Sequence, residues 1–410
     1  MANETIKLYG AHWCPDCRRS KLFLGEQQIA YDWIDIEKDE EARRYVEQIN
    51  NGKRIIPTIV FPDGSILVEP SNAELAQKLG LRTAAEREFY DLIVVGAGPA
   101  GLTTALYTAR EGIDTLVVEM GGLGGQAAAT QDIENIPGFP EGVTGTDFAD
   151  RLVRQAQRYG VEILQAQEVT GIEARDGNSR WVVTGDGSEY GARALLIATG
   201  ADYRRLNVPG EEDYIGAGVH FCATCDGPFY KGQELVVVGG GNSATEEGVF
   251  LTRFSPRVTL LVRGGELTAS QVAVDKVMEH PAIDVLFHTE VKEFRGKAGK
   301  LKSITVENRQ TGEQTEMTPG GVFVFIGQRP NSGFARGTLA TNQWGYILTG
   351  HHDLVHSGAV TEHTPAFLET SMAGVFAAGD VRSGSTKQVA SAAGEGATAA
   401  LLVREYLKAT

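Results

Sequence analysis

The 410 residues contain four cysteines, arranged as two pairs of one form: Cys14-Pro15-Asp16-Cys17 and Cys222-Ala223-Thr224-Cys225. A Cys-x-x-Cys pair sets two thiols one helical turn apart, which suits a reversible disulfide or half of a metal site. Zinc knuckles place their pairs ~15–20 residues apart, whereas about two hundred residues separate these two. Dithiol chemistry is therefore expected, and no metal.

Two glycine-rich loops share the chain with them. Tyr90-Asp91-Leu92-Ile93-Val94-Val95 runs as a buried strand into Gly96-Ala97-Gly98-Pro99-Ala100-Gly101. Gly96 allows the tight turn, Gly98 lets the backbone approach a pyrophosphate, and Gly101 lets helix and strand pack closely. Glu119, 23 residues after Gly96, ends the next strand, where a carboxylate can accept ribose hydroxyls. A second copy follows Leu235-Val236-Val237-Val238 as Gly239-Gly240-Gly241-Asn242-Ser243-Ala244. At the matching offset stand Val262 and then Arg263. A guanidinium in place of the carboxylate favours a 2′-phosphate. Further on, a strand ends in Gly379-Asp380, and Lys387-Gln388 opens a long helix. A carboxylate for a ribityl chain and a helix N-terminus near a ring suit a flavin. Together these groups read as an electron relay from nicotinamide to flavin, to one disulfide, to the next.

The rest of the chain must position them. Its length allows two or three domains. Residues 1–82 read as a small α/β unit: a strand at Ile6-Lys7-Leu8-Tyr9, a helix from Pro15 to about Gln28, a strand from Tyr31 to Ile36, and a helix over Glu40–Ile49. A hairpin follows around Asp63-Gly64, and Ser71 to Glu74 forms a capping box that opens a last helix. Residues 83–89 form a polar linker; the joint from Arg82 to Phe89 spans ~26–29 Å if extended, less if partly helical. The net charge of −15 argues against a nucleic-acid or anionic-membrane partner. No run of ~18 apolar residues occurs, and the polar start Met1-Ala2-Asn3-Glu4 carries no signal core, so a cytoplasmic location is expected.

Residues 90–410 resemble a low-molecular-weight thioredoxin reductase. The resemblance rests on the two glycine loops, Glu134-Asn135-Ile136-Pro137-Gly138, Ala198-Thr199-Gly200, Cys222 to Gly227, and Gly379-Asp380. Residues 1–82 resemble a glutaredoxin of the mycoredoxin branch through Trp13 to Cys17, Ile56-Pro57-Thr58 and Val60 to Gly64. The implied fold class is α/β: an N-terminal thioredoxin-fold domain plus two Rossmann-like domains, for FAD and NAD(P)H. The implied boundaries are 1–82, 90–205 and 329–410 for the two parts of the FAD domain, and 206–328 for the NAD(P)H domain.

The resemblance also implies roles. Cys225 takes electrons from FAD, Cys222 attacks the incoming disulfide, and Asp226 moves protons. Gly96, Gly98, Pro99, Ala100, Gly101, Glu119, Gln126, Asn135, Thr199, Gly200, Gly379, Asp380, Lys387 and Gln388 line FAD. Gly239, Gly241, Asn242, Ser243, Ala244 and Arg263 line NADPH. Cys14 is the exposed nucleophile at a helix N-terminus, where a thiolate is favoured; Cys17 resolves, and Pro57 is a cis proline facing the Cys14 sulfur. The NAD(P)H domain swings about hinges near Leu206 and Gln328. Thioredoxin-like pairs lie near ~−270 mV and glutaredoxins near ~−200 to −230 mV, so transfer from the second pair to the first runs downhill by roughly 2–3 kcal/mol.

Three positions depart from the family patterns. Of the His-Arg-Arg signature and the arginine after it, only Arg263 is present, with Thr268 at the last place, so NADH stays an alternative to NADPH. Glu69-Pro70-Ser71-Asn72 stands where a glutathione-binding turn would be. The histidines between 351 and 363 fall in an insertion expected as an exposed loop. The expected acceptor is a thioredoxin, a peroxiredoxin or a small disulfide, and the expected assembly a homodimer. Two other readings stay open: a peroxiredoxin (alkyl hydroperoxide) reductase flavoprotein, and an N-terminal domain that docks partners without passing electrons.

Overall fold

The structure is a computed structural model that describes residues 5–27, 29–128, 130, 133–175, 179–297, 299–359, 361 and 363–410. The polar start, the end of the first helix at Gln28, and Val360 and Glu362 in the histidine segment lie outside the described residues. The chain divides into two compact units: Met1–Asp132 with Val143–Gly200 and Pro330–Thr410, and Ile133–Gly142 with Ala201–Arg329.

In the first unit, the N-terminal part is a four-stranded sheet in the order Tyr31–Asp35, Ile6–Gly10, Thr58–Val60, Ile66–Val68. The first pair is parallel and the rest antiparallel. Helices Pro15–Glu26, Glu40–Ile49 and Asn72–Lys78 complete the expected thioredoxin-type order. Leu8, Phe23, Leu24, Ile59 and Leu75 make its core. Asp39 caps the second helix through the N–H groups of Glu41 and Ala42, and the Ser71/Glu74 capping box closes on both sides, each satisfying donors that a helix start leaves open.

The joint between 82 and 89 is neither helical nor a free tether. Its backbone follows the adjoining sheet: Gln165 N donates to Arg82 O at 2.8 Å and Gly191 N to Glu88 O at 2.8 Å. Glu162, nearly buried, gathers the rest. Its carboxylate accepts from Glu86 N at 2.9 Å and Tyr90 Oη at 2.6 Å, and pairs with Arg82 at 2.8 Å. Gln27, at the end of the first helix, donates to Gly121 O at 2.8 Å and accepts from Gln165 Nε2 at 3.1 Å. The bonds to the Glu162 carboxylate are charge-assisted, and such bonds contribute about 1.5–3 kcal/mol each when shielded.

The larger sheet of this unit runs Glu162–Leu164, Thr115–Val118, Phe89–Val95, Glu189–Ile197, Ser179–Thr184, Val169–Arg175, with Val375–Ala377 also paired to Glu189–Ile197. Its central strands are parallel and buried on both faces, which is why they read as unbroken apolar runs. Helix Pro99–Arg110 packs on helix Val389–Ala409 at Gly396, where an added Cβ would meet Ala100 O at 2.3 Å.

The second unit carries a five-stranded parallel sheet, Val219–His220, Gly321–Val324, Leu235–Val238, Val258–Leu261, Ile283–Leu286. A three-stranded antiparallel sheet follows from Thr289–Lys297, Lys300–Asn308 and Gln314–Met317. Ala201–Tyr203 and Gln328–Pro330 pair as a short two-stranded sheet beside the positions expected to hinge. The histidine insertion corrects an expectation: it contains a helix, Gly350–His356, with the His352 and His356 rings 4.2 Å apart one turn from each other.

Candidate functional site

At the N-terminal pair, Cys14 is the N-cap of helix Pro15–Glu26, and proline at the first helical position costs no hydrogen bond. Cys14 Sγ accepts the Cys17 N–H at 3.1 Å and lies 3.7 Å from the Ile56 carbonyl oxygen. The Ile56–Pro57 bond is cis, and it is the Ile56 carbonyl that lies against the Cys14 sulfur. Cys14 is not exposed: it is 4% accessible, packed among Tyr9, Ala11, Ile36 and Ile56, and Cys17 is fully buried. The expectation of an exposed nucleophile fails because the apolar loop carrying Ile56 closes over it. Burial, and then the Cys14 side chain, push the Cys17 thiol up to about 12. Sequence reasoning missed Gly10. A Cβ there would stand 2.7 Å from Cys17 Sγ and 2.7 Å from the Trp33 ring. Arg19 fills the place of the glutathione-type turn, donating to Pro70 O at 3.0 Å and Asn72 Oδ1 at 3.2 Å.

The internal pair repeats the cap, whereas Cys14 and Cys17 are free thiols. Cys222 is the N-cap of the short helix Ala223–Asp226, its sulfur accepts the Cys225 N–H at 3.2 Å, and the two cysteines form a disulfide. The surroundings differ. Asp226 Oδ1 lies 3.2 Å from His220 Nδ1, and His220 Nε2 lies 2.6 Å from the Tyr230 hydroxyl. Neither His220 nor Tyr230 was singled out from sequence. The available signal was a polar residue in an apolar strand, two positions before the motif.

The first glycine loop fits a dinucleotide. Gly96 has φ +107°, and a Cβ there would strike Ala198 O at 2.4 Å; one at Gly101 would strike Gly96 O at 2.0 Å. Gly98 is the N-cap of helix Pro99–Arg110, and a Cβ on it would meet nothing within 4 Å. The open space thus lies where helix N–H groups would meet a pyrophosphate. Pro99 takes the first helical position and Ala100 is buried. The Glu119 oxygens accept from Ala97 N at 2.6 Å and Gly121 N at 2.7 Å; burial raises its carboxyl while these backbone bonds pull it down. The Met120 N–H acts on the same carboxylate, which leaves part of its accepting capacity for a ribose hydroxyl.

The remaining expected flavin residues are spread over both units. Gln126 is exposed on the turn Gly125–Ala128, and Asn135 is exposed in the second unit. Thr199 spends its hydroxyl on Asn331 O at 2.6 Å, and Asn331 Nδ2 returns to Thr199 O at 3.1 Å. Gly200 sits beside it at φ +70°. The Thr199 hydroxyl thus serves its own loop first. Asp380 follows the Gly379 turn, whose N–H goes to Glu395 Oε2 at 2.7 Å, and Glu395 pairs with Arg382 at 2.6 Å in near-complete burial. Burial raises the Asp380 carboxyl and lowers the Lys387 ammonium. Lys387 does not begin the helix: it holds φ +57° and donates to Asp380 O at 2.6 Å. Gln388 is the N-cap, and the helix starts at Val389.

In the second loop a Cβ at Gly239 would meet Phe325 O at 2.3 Å, and Ala244 is fully buried. Gly241 is the N-cap of helix Asn242–Leu251. Asn242 Oδ1 accepts from Ser270 N at 2.7 Å, and Ser243 is exposed. Arg263 is exposed just past strand Val258–Leu261. The turn after strand Lys300–Asn308 brings a second guanidinium there, Arg309, whose Nη1 lies 3.5 Å from Arg263 O.

The comparisons agree with this layout. Residues 90–396 match the pyridine nucleotide-disulphide oxidoreductase family, and residues 6–66 match glutaredoxin. A thioredoxin reductase from Bacillus subtilis (strain 168) is 41% identical over 323 residues, 79% of this chain and 96% of that protein. The thioredoxin reductase structure from Streptococcus pyogenes MGAS5005 covers 79% of this chain and 99% of its own at 37% identity and a TM-score of 0.71. That from Giardia duodenalis covers 78% and 100% at 32% identity and a TM-score of 0.71.

Proposed function

Since the chain belongs to the pyridine nucleotide-disulphide oxidoreductase family and carries a glutaredoxin domain at its N-terminus, we propose that it is an NADPH-dependent, FAD-containing thioredoxin-disulfide reductase that feeds its own glutaredoxin domain. The observation that carries this reading is the repetition of one dithiol arrangement, a cysteine N-cap whose sulfur accepts the N–H of its partner cysteine, at both pairs.

When bound, the flavin supplies the two-electron passage from nicotinamide to the internal disulfide. The chain's residues do the rest. Gly96, Gly98 and Gly101 admit the pyrophosphate to the start of helix Pro99–Arg110, and Glu119 orients the ribose. Gly379, Asp380, Lys387 and Gln388 hold the remaining part. Gly239, Gly241, Asn242, Ser243 and Ala244 receive the nicotinamide dinucleotide, with Arg263 and Arg309 offering charge for a 2′-phosphate. Cys225 takes up the electrons, Cys222 attacks the Cys14–Cys17 disulfide, Cys17 resolves, and Asp226 moves the proton. The final acceptor is a thioredoxin-like disulfide, in the cytosol, where thiol pairs stay reducible. A homodimer is part of the proposal and is checked by sedimentation.

The burial of Cys14 favours a second reading, in which the N-terminal domain docks an acceptor and passes no electrons. Turnover of a Cys14→Ser chain separates the two: loss of acceptor reduction supports the relay, and unchanged turnover with a thioredoxin-like acceptor refutes it. Titration with NADPH and NADH in turn checks the nucleotide; a lower KM for NADH would reassign it.

A further inference from the structure

Dithiol exchange needs protons at the sulfurs that leave. The Cys222 thiol gives its proton to Asp226 and its Sγ attacks one sulfur of the acceptor disulfide; the acceptor S–S bond breaks, and its second sulfur leaves as a thiolate and takes that proton back from Asp226. Cys225 Sγ, its proton also given to Asp226, then attacks Cys222 Sγ; the mixed Cys222–acceptor bond breaks, the Cys222–Cys225 bond forms again, and the acceptor's first sulfur leaves and takes the second proton. Two electrons pass from the dithiol to the acceptor.

Asp226 does not stand alone at this pair. His220 contacts it through Nδ1 at 3.2 Å and contacts Tyr230 through Nε2 at 2.6 Å. The Tyr230 O–H donates to Nε2, so Nδ1 carries the hydrogen and faces the Asp226 carboxyl. Burial, then the Asp226 charge, push the Tyr230 phenol up to about 12, which keeps it a donor at neutral pH. The chain is held from both sides. His220 is 6% exposed, in a strand paired to Val322 and Phe323. Its ring lies 5.2 Å from Tyr230 and 5.3 Å from Phe323. The Tyr230 ring rests on Gly321, where a Cβ would come within 2.8 Å. Among the described residues, Asp226 and Tyr230 are the titratable groups in contact with His220; Cys222, two residues along, is in the disulfide.

We infer that His220 and Tyr230 are positioning residues for Asp226: the Tyr230–His220 chain fixes one carboxylate oxygen and aims the other at the exchanging sulfurs. The inference rests on the reading of Cys222–Cys225 as the exchanging pair. It also distinguishes this role from packing. A leaving thiolate of high pKa needs a proton donor, whereas one of low pKa leaves unaided.

The experiment uses the full chain with Cys14→Ser and Cys17→Ser, so that Cys222–Cys225 is the remaining redox pair. Reduction of an alkyl disulfide, 2-hydroxyethyl disulfide, is compared with that of an aromatic one, 5,5′-dithiobis(2-nitrobenzoate). His220→Leu and Tyr230→Phe are expected to slow the alkyl substrate about tenfold or more and the aromatic one less than about twofold. His220→Gln, whose amide can both donate and accept, is expected to restore most of the rate. His220→Leu in an Asp226→Asn chain is expected to add no further loss, since it acts through Asp226. Equal slowing of both substrates, slowing of neither, or an additive loss beyond Asp226→Asn overturns the inference. Should His220→Leu fail to fold, Tyr230→Phe, which removes one oxygen, decides alone. A parent chain that reduces neither disulfide refutes the functional reading and the inference together. One that reduces both without selectivity among the variants refutes the inference alone.

Discussion

The two Cys-x-x-Cys pairs share a helix cap and differ in what surrounds it. At Cys14 and at Cys222 the first cysteine caps a helix and its sulfur accepts the N–H three residues on, at 3.1 and 3.2 Å. Around Cys14 and Cys17 the neighbours are apolar, and the nearby Asp16 faces outward onto Arg19. Around Cys222 and Cys225 stand a carboxylate, an imidazole and a phenol in one hydrogen-bonded chain. The four-residue spacing thus sets the reach of the thiols, while the packing elements set how protons are handled. A pair tuned by burial suits a resolving step, and a pair with its own acid suits repeated exchange.

The most damaging way to break this comparison is Cys222→Ser. Removing the attacking sulfur is expected to cut disulfide reduction at least about a thousandfold, read by steady-state NADPH oxidation, whereas Cys14→Ser leaves the internal pair reducible. Gly10→Ala is next. Its methyl group would press on Cys17 Sγ and Trp33 together, and such overpacking costs about 1–3 kcal/mol. The loss is expected in the N-terminal domain, seen as an earlier urea transition in tryptophan fluorescence, with Cys222–Cys225 still reducible.

Glu162→Gln probes the strap rather than either pair. Exchanging the carboxylate for an amide weakens its bonds to Arg82, Glu86 and Tyr90. About 2 kcal/mol of stability is expected to go, with faster hydrogen exchange at 82–89. Unchanged exchange there would show the joint to be a loose tether after all.

The smallest effect is the pH response of Cys17. Burial first, then Cys14, raise its thiol from 9.0 to about 12. A raised value means that the folded state holds the proton more tightly than the unfolded chain. The stabilisation is complete below pH ~9 and is lost as pH climbs from there toward about 12, amounting to less than about 1 kcal/mol by pH 9.5. In a Cys14→Ser chain, Cys17 is expected to resist iodoacetamide through pH 9. Alkylation near pH 8 would contradict the burial argument.

Much of the site was legible because its parts are local. The capping box at Ser71 and the helix Glu40–Ile49 follow from neighbouring residues, and the cis Pro57 from the resemblance to a glutaredoxin. Gly96 and Gly101 were readable as glycines that a close backbone approach demands. What escaped was long-range. His220 meets Asp226 and Tyr230 only once strand Val219–His220 lies against Gly321–Val324. The Glu162 strap joins residues more than seventy positions apart. The resemblance implies an exposed Cys14, and the packing of Ile56 and Tyr9 buries it. The histidine segment lacked a strong apolar period, yet Leu354, buried at 1%, anchors about two turns of helix.

The central claim is that both pairs belong to one circuit. The most direct test is a count of free thiols per chain after anaerobic reduction with stoichiometric NADPH, starting from the fully oxidised protein. The account predicts four new thiols, two from Cys222–Cys225 and two from Cys14–Cys17. A count of two, with Cys14 and Cys17 still joined, would contradict it and leave the N-terminal domain outside the relay.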